Sequence, residues 1–247
     1  YIERDLNFRI AGFLKAKLET YTTRNGDPIR VKFTRTSDND LTLEQRVARG
    51  VSKNSNLLIS IHNNAAADKN PNRRGSMVLV TNAHYQAPEA KHVNLYLLEN
   101  ALAESILIEL QKVGLSLSDD VSKPDGSFIC KNGILRRIIL PPEEAEDSSA
   151  WKYQTGAPLD YYGIVREGVL AGLPSIIIEY AYISNQQDAE QFLSSDAQLK
   201  RIAEASAQGI ASVYSFLPRQ TEAKSLEAPV TRSAEPRQNG LTLFPVW

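Results

Sequence analysis

The chain has 247 residues, with 28 Lys+Arg against 29 Asp+Glu and a net charge of −1. That balance leaves no electrostatic footprint for a nucleic-acid partner. One cysteine, Cys130, excludes an internal disulfide and every cysteine-based zinc site; the histidines are His62, His84 and His92. There is no apolar run of about 18 residues that would span a membrane. The first residue is Tyr rather than Met, so a segment is expected upstream.

Leu6, Ile10, Phe13, Leu14, Leu18 and Tyr21 recur at helical spacing and predict an amphipathic helix over 3–21. Glu3 falls on the same stripe as Leu6, Asn7 and Ile10, an unusual place for a carboxylate. Asn25-Gly26-Asp27-Pro28 signals a turn. A short strand follows over 29–34, then a helix over 41–53 with Thr42 and Gln45 as a capping box and Leu43, Val47 and Val51 as its buried side. Residues 56–61 form an apolar strand that ends at His62, before a polar loop over 63–75. Residues 76–81 read as a strand, and Leu95, Leu98, Leu102, Ile106, Leu110 and Val113 mark a long helix.

The stretch 116–159 breaks the rhythm and reads as an insertion of loops with a hairpin. Residues 175–179 are a strand with three isoleucines at its centre. A last helix runs over about 197–217, with Leu199, Ile202, Ala203, Ile210, Val213 and Tyr214 facing inward. Four of the twelve prolines lie in 218–247, which reads as a C-terminal tail or linker with a docking end at 241–247. Residues 1–217 thus form one domain. Alternating strands and helices imply an α/β fold, a mostly parallel twisted sheet with helices on both faces.

His62 and Glu179 each end an apolar strand, and ligand crevices in open α/β sheets lie at the carboxyl ends of strands. Glu3 begins a helix that would follow an upstream strand, so it belongs to that same edge. A charge after buried isoleucines is costly unless something pairs with it. One interpretation is a divalent metal held by His and Glu with a further Glu free as base. The alternatives are ordinary: His62 as a hydrogen-bonded strand end, Glu3 as a carboxylate favoured by the helix dipole, and Glu179 paired with an arginine such as Arg166. His84, His92, Arg35, Asp38 and Arg46 read as structural. Cys130 reads as inert. Asn63 and Asn64 read as a turn or as hydrogen-bonding support.

Four stretches in order carry a resemblance: Glu3-Arg4-Asp5-Leu6-Asn7; Thr34-Arg35 through Asp38 with Leu43 and Arg46; Ser60-Ile61-His62-Asn63-Asn64-Ala65; and Pro174 to Glu179 followed by Tyr182-Ile183-Ser184-Asn185. Over about 1–217 the chain resembles the zinc-dependent N-acetylmuramoyl-L-alanine amidases, which cleave peptidoglycan. The resemblance implies Zn2+ as cofactor, Glu3 and His62 as metal ligands, and Glu179 as the catalytic residue. It also implies that the family's first strand and its remaining ligand, a His in a Gly-His-Gly-Gly turn, lie upstream of this chain; neither His84 nor His92 matches that motif. Glu179 is followed by Tyr180-Ala181-Tyr182 where many relatives have a smaller residue and Phe. The run from Asp160 to Arg166 is similar to members from Gram-positive bacteria.

The implied activity is hydrolysis of the amide between N-acetylmuramic acid and L-alanine of the stem peptide. The 63–74 loop would line the substrate groove, with Asn64 as a substrate-binding residue. The implied location is extracytoplasmic, at the cell wall or periplasm, with a regulatory or recruiting protein as a further partner. The rival is a non-catalytic peptidoglycan-binding or regulatory domain on the same fold. A third class is a metallohydrolase acting on a different peptide.

Overall fold

The computed structural model describes residues 2–34, 41–66, 70–82, 95–143, 145, 147–153, 156–219 and the backbone of 240–245. Arg35, Asp38, His84 and His92 lie outside the described residues, as does the greater part of 218–247.

Helix α1 (Glu3–Leu18) buries Leu6, Ile10, Leu14 and Leu18, and carries acids in its first turn and lysines in its last, matching the helix dipole. A short β1 (Tyr21–Thr22) precedes β2 (Arg30–Phe33). Helix α2 (Leu43–Ser52) starts at the expected capping box, with the Thr42 hydroxyl accepting from Gln45 N and the Gln45 side chain accepting from Thr42 N. Its buried side differs from expectation. Val51 is 47% exposed, and the helix instead buries Arg46, Val47 and Gly50. A Cβ at Gly50 would lie 3.0 Å from a Leu173 methyl and 3.3 Å from a Leu58 methyl, so the helix approaches the sheet on the glycine side and turns Val51 outward.

Strand β3 (Ser55–Asn64) is followed by β4 (Met77–Leu79) and helix α3 (Leu95–Lys112). The insertion folds as an antiparallel meander of β5 (Val121–Ser122), β6 (Phe128–Lys131) and β7 (Ile134–Arg137), which extends the central sheet. After helix α4 (Gly163–Leu170) come β8 (Ser175–Tyr182), a short α5 (Gln186–Asp188) that continues as a π turn over Ala189–Leu193, and α6 (Asp196–Tyr214). Strand β9 (Leu217–Pro218) pairs with β1, and β10 (Gly240–Pro245) enters the central sheet.

The eight-stranded order is β2-β10-β3-β8-β4-β7-β6-β5. Pairing is parallel from β2 through β8 and again between β4 and β7. It is antiparallel between β8 and β4 and through the meander. Helices pack on both sides, α1, α3 and α6 over one face and α2 and α4 over the other. The two-residue period of the strands sorts the core between these faces. Leu57, Ile59, Ile61, Ile176 and Ile178 join the α1/α3/α6 side, whereas Leu58, Ile177, Met77 and Leu79 join the α2/α4 side.

A buried carboxylate ties the layers together at the start of β8, the opposite end of that strand from Glu179. Glu99 on α3 accepts from Ser175 N at 2.9 Å and Thr81 N at 2.8 Å, and its burial raises its pKa to about 8. No helix among the described residues is long and apolar enough to cross a membrane.

Strand β10 fills the position between β2 and β3, with Leu241 opposite Val31 on one side and Leu57 on the other. The expected docking end of the chain is therefore where this strand forms. Deleting 240–247 would strip backbone hydrogen bonds from both neighbours, each worth about 0.5–1.5 kcal/mol. The truncated protein is expected to melt at least about 10 °C lower; an unchanged melting temperature would show that the strand contributes nothing to the sheet.

Candidate active site

The three candidate residues meet at one place because of strand parity and register. On β3, Leu58, Ser60 and His62 share a face; on β8, Ile177 and Glu179 share the same face. His62 and Glu179 are directly opposite in the parallel pairing. The register shifts just beyond, between His62 and Asn64, and this irregularity ends the regular ladder at the candidate residues.

Glu3 reaches this edge from the first turn of α1. Its Oε1 lies 3.0 Å from His62 Nδ1, and accepts from Asn7 Nδ2 at 3.1 Å and from Asn63 N at 3.2 Å. Asn7 stands one helical turn after Glu3 and is fully buried; its Oδ1 accepts from Asn63 Nδ2 at 2.8 Å. Asn7 and Asn63 thereby dock the start of α1 onto the end of β3. His62 Nε2 is 3.1 Å from Ser60 Oγ. Burial acts to raise the Glu3 carboxyl, but hydrogen bonds from His62 and Asn7, with the His62 charge, outweigh it and the net pKa is lowered.

Glu179 has the opposite environment. Burial pushes its carboxyl up to about 7, partly offset by His62 and reinforced by the Glu3 charge. Its Oε2 is buried and has no hydrogen-bond partner among the described residues. The pairing with Arg166 that the sequence left open does not form: Arg166 donates to the carbonyls of Asp160 and Tyr161 and lies 3.6 Å from Glu167. A buried carboxyl near neutrality is poised for proton transfer.

Glu179 opens into a cavity of about 670 Å³. Its floor is the outer face of the sheet, with Met77 and Leu79 of β4, Leu135 of β7 and Phe128 of β6; Asn64, Arg73 and Arg74 of the polar loop also line it. Asn185 and Asp188 hold that loop in place. Asn185 Nδ2 donates to Pro71 O, and the buried Asp188 carboxylate accepts from Gly75 N and Tyr182 N. Cys130 also lines the cavity; burial, with Asp120 and Asp119 adding, pushes its thiol up to about 11, so it is a poor nucleophile.

The resemblance pointed to Glu3, His62 and Glu179, and the structure brings them together. Asn63, read from the sequence as a turn or as hydrogen-bonding support, supports Glu3 and Asn7 here, whereas Asn7 and Asp188 were not singled out for these roles. The signals were weak: Asn7 sits on the apolar stripe of α1 and Asp188 three residues after the cap residue Asn185. Among the described residues, no group of three or more His, Cys, Asp or Glu side chains is arranged to hold a metal ion.

Residues 1–113 match the family model described as N-acetylmuramoyl-L-alanine amidase. No curated protein matches the sequence. Among solved structures, the chain is similar to the N-acetylmuramyl-L-alanine amidase Ami1 from Mycobacterium smegmatis, at 18% identity and a TM-score of 0.59, covering 87% of this chain and 78% of that one. It is similar to the N-acetylmuramoyl-L-alanine amidase of Clostridium difficile 630, at 19% identity and 0.55, covering 86% and 83%. It is also similar to the catalytic domain of CwlV from Bacillus (Paenibacillus) polymyxa var. colistinus, at 18% and 0.52, covering 85% and 83%. The first 113 residues thus match the model of the N-acetylmuramoyl-L-alanine amidases, and the chain as a whole has the fold of these amidases.

Proposed function

We propose that this protein is a zinc-dependent N-acetylmuramoyl-L-alanine amidase, hydrolysing the amide between N-acetylmuramic acid and the L-alanine of the stem peptide. The observation that carries this reading is Glu179: a buried carboxyl with an unpartnered oxygen, opposite His62 and opening into a cavity.

Glu3 and His62, whose Oε1 and Nδ1 stand 3.0 Å apart, would hold the metal ion. Both are side chains of the types zinc prefers, and the bond from Asn7 already orients the carboxylate. Zinc bound there supplies Lewis acidity toward the scissile carbonyl and lowers the pKa of water. Glu179 Oε2 takes the proton of the attacking water and returns it to the departing L-alanine nitrogen. Burial keeps this carboxyl basic enough for the first role and acidic enough for the second. The Asn63 and Asn7 side chains hold the geometry. Asn64, at the cavity wall, is a substrate-binding candidate.

The substrate places this activity outside the cytoplasmic membrane, where a recruiting or regulatory protein would meet it. Purified peptidoglycan incubated with the protein and zinc is expected to release stem peptides bearing a new N-terminal L-alanine, identified by mass spectrometry. Binding to peptidoglycan without release would instead support a non-catalytic domain on this fold. Cleavage of unrelated peptides with intact peptidoglycan would point to a different metallohydrolase.

A further inference from the structure

The meander built from the insertion places a cation in the cavity that holds Glu179. Side chains alternate along β7. Ile134 joins the core beside α3, and Arg136 bonds to Asn100 of that helix. Leu135 and Arg137 therefore point the other way, and both line the cavity.

Arg137 is held with unusual firmness for a surface cation. Its backbone pairs with Phe128, and its carbonyl accepts from Tyr161 N at 2.9 Å. Its guanidinium carbon lies 3.4 Å from the centre of the Tyr161 ring, and Tyr162 lines the same cavity beside it. These side-chain partners carry no charge, so among the described residues no carboxylate neutralises Arg137. Stacking fixes the plane of a guanidinium and leaves its donor fork free for a planar anion. Among the described residues, Asp119 is the other acid on the cavity wall besides Glu179; Arg73 and Arg74 add to the cationic side, with Arg74 bonded to Gln187.

The register sets the scale. Leu79 is opposite both Ile177 and Leu135, which puts Arg137 about four residues from Glu179 along the strands and two strands away. At about 3.3 Å per residue and about 4.8 Å per strand, the backbones are roughly 16 Å apart. Two side chains reaching inward leave room for a short peptide at about 3.5 Å per residue.

We propose that Arg137 is a specificity-determining residue that binds a carboxylate of the stem peptide while the scissile amide lies at Glu179. This rests on the amidase reading for the identity of the peptide, but the carboxylate site stands on the cavity alone. The insertion thus selects acidic peptides over amidated ones.

The test is calorimetric binding of L-alanyl-γ-D-glutamyl-L-lysine with free carboxylates, against the same peptide with its carboxylates amidated; neither contains the scissile bond. The wild-type protein is expected to bind the acid form at least tenfold more tightly, as a charge-assisted fork warrants. Arg137→Met should lose that preference by weakening the acid form alone, and Arg137→Lys should keep part of it. Circular dichroism checks that both variants fold. Equal binding of the two peptides by wild type, no binding of either, or equal loss of both in Arg137→Met would overturn the proposal. Discrimination that follows Arg137 in a protein releasing nothing from peptidoglycan would overturn the amidase reading and leave the carboxylate site standing.

Discussion

Glu179→Gln is expected to lower stem-peptide release from peptidoglycan by about 10²- to 10⁴-fold, the range of a lost general base. The amide keeps the shape of the carboxyl but neither takes nor gives a proton. Oε2 has no hydrogen-bond partner among the described residues to disappoint, and a neutral amide removes the penalty of burying a charge. The melting temperature should therefore stay level or rise. Zinc content should be unchanged, since Glu179 is not one of the proposed ligands. Undiminished release by this variant would remove Glu179 from the chemistry.

His62→Ala is expected to abolish zinc retention through dialysis, read by elemental analysis, and activity with it. The substitution removes one of two donors that stand 3.0 Å apart. Loss of a hydrogen bond to a ligand costs about 10–100-fold in metal affinity; loss of a ligand costs more. Glu3 keeps its bonds from Asn7 and Asn63, so the helix start stays docked and the metal-free fold should survive. The two variants separate the roles: one is expected to hold zinc without turnover, the other to lose both. Full zinc content in His62→Ala would refute ligation by His62.

Much of the layered architecture was legible from spacing. Apolar residues three and four apart marked α1, α3 and α6, and the Thr42/Gln45 cap marked the start of α2. These signals are local, and helix stripes and caps are set by residues a few positions apart. The buried side of α2 was less legible because Gly50, with no side chain to count as apolar, sets the closest approach. The meander was harder still. Its strands are two to four residues long, too short for a two-residue period to declare itself. The place of β10 depends on β2 and β3, about two hundred residues earlier, and nothing inside 240–245 specifies that partnership.

The site divides the same way. Residue types, with His62 and Glu179 at strand ends and Glu3 at a helix start, singled out the three, and the resemblance attached roles to them. Three-dimensional packing supplied what makes them differ. Glu3 and Glu179 are the same amino acid, yet one is held low by three donors and the other pushed up by burial without a partner on Oε2. That contrast depends on Asn7, Asn63 and the β3–β8 register, which join residues scores of positions apart. Arg137 gains its meaning in the same manner: only the folding of the meander beside β4 turns one of two adjacent arginines in an irregular stretch into a cation facing Glu179's cavity. Local pattern selects side chains and elements, but ionisation and recognition depend on neighbours brought close by the chain's long-range pairing.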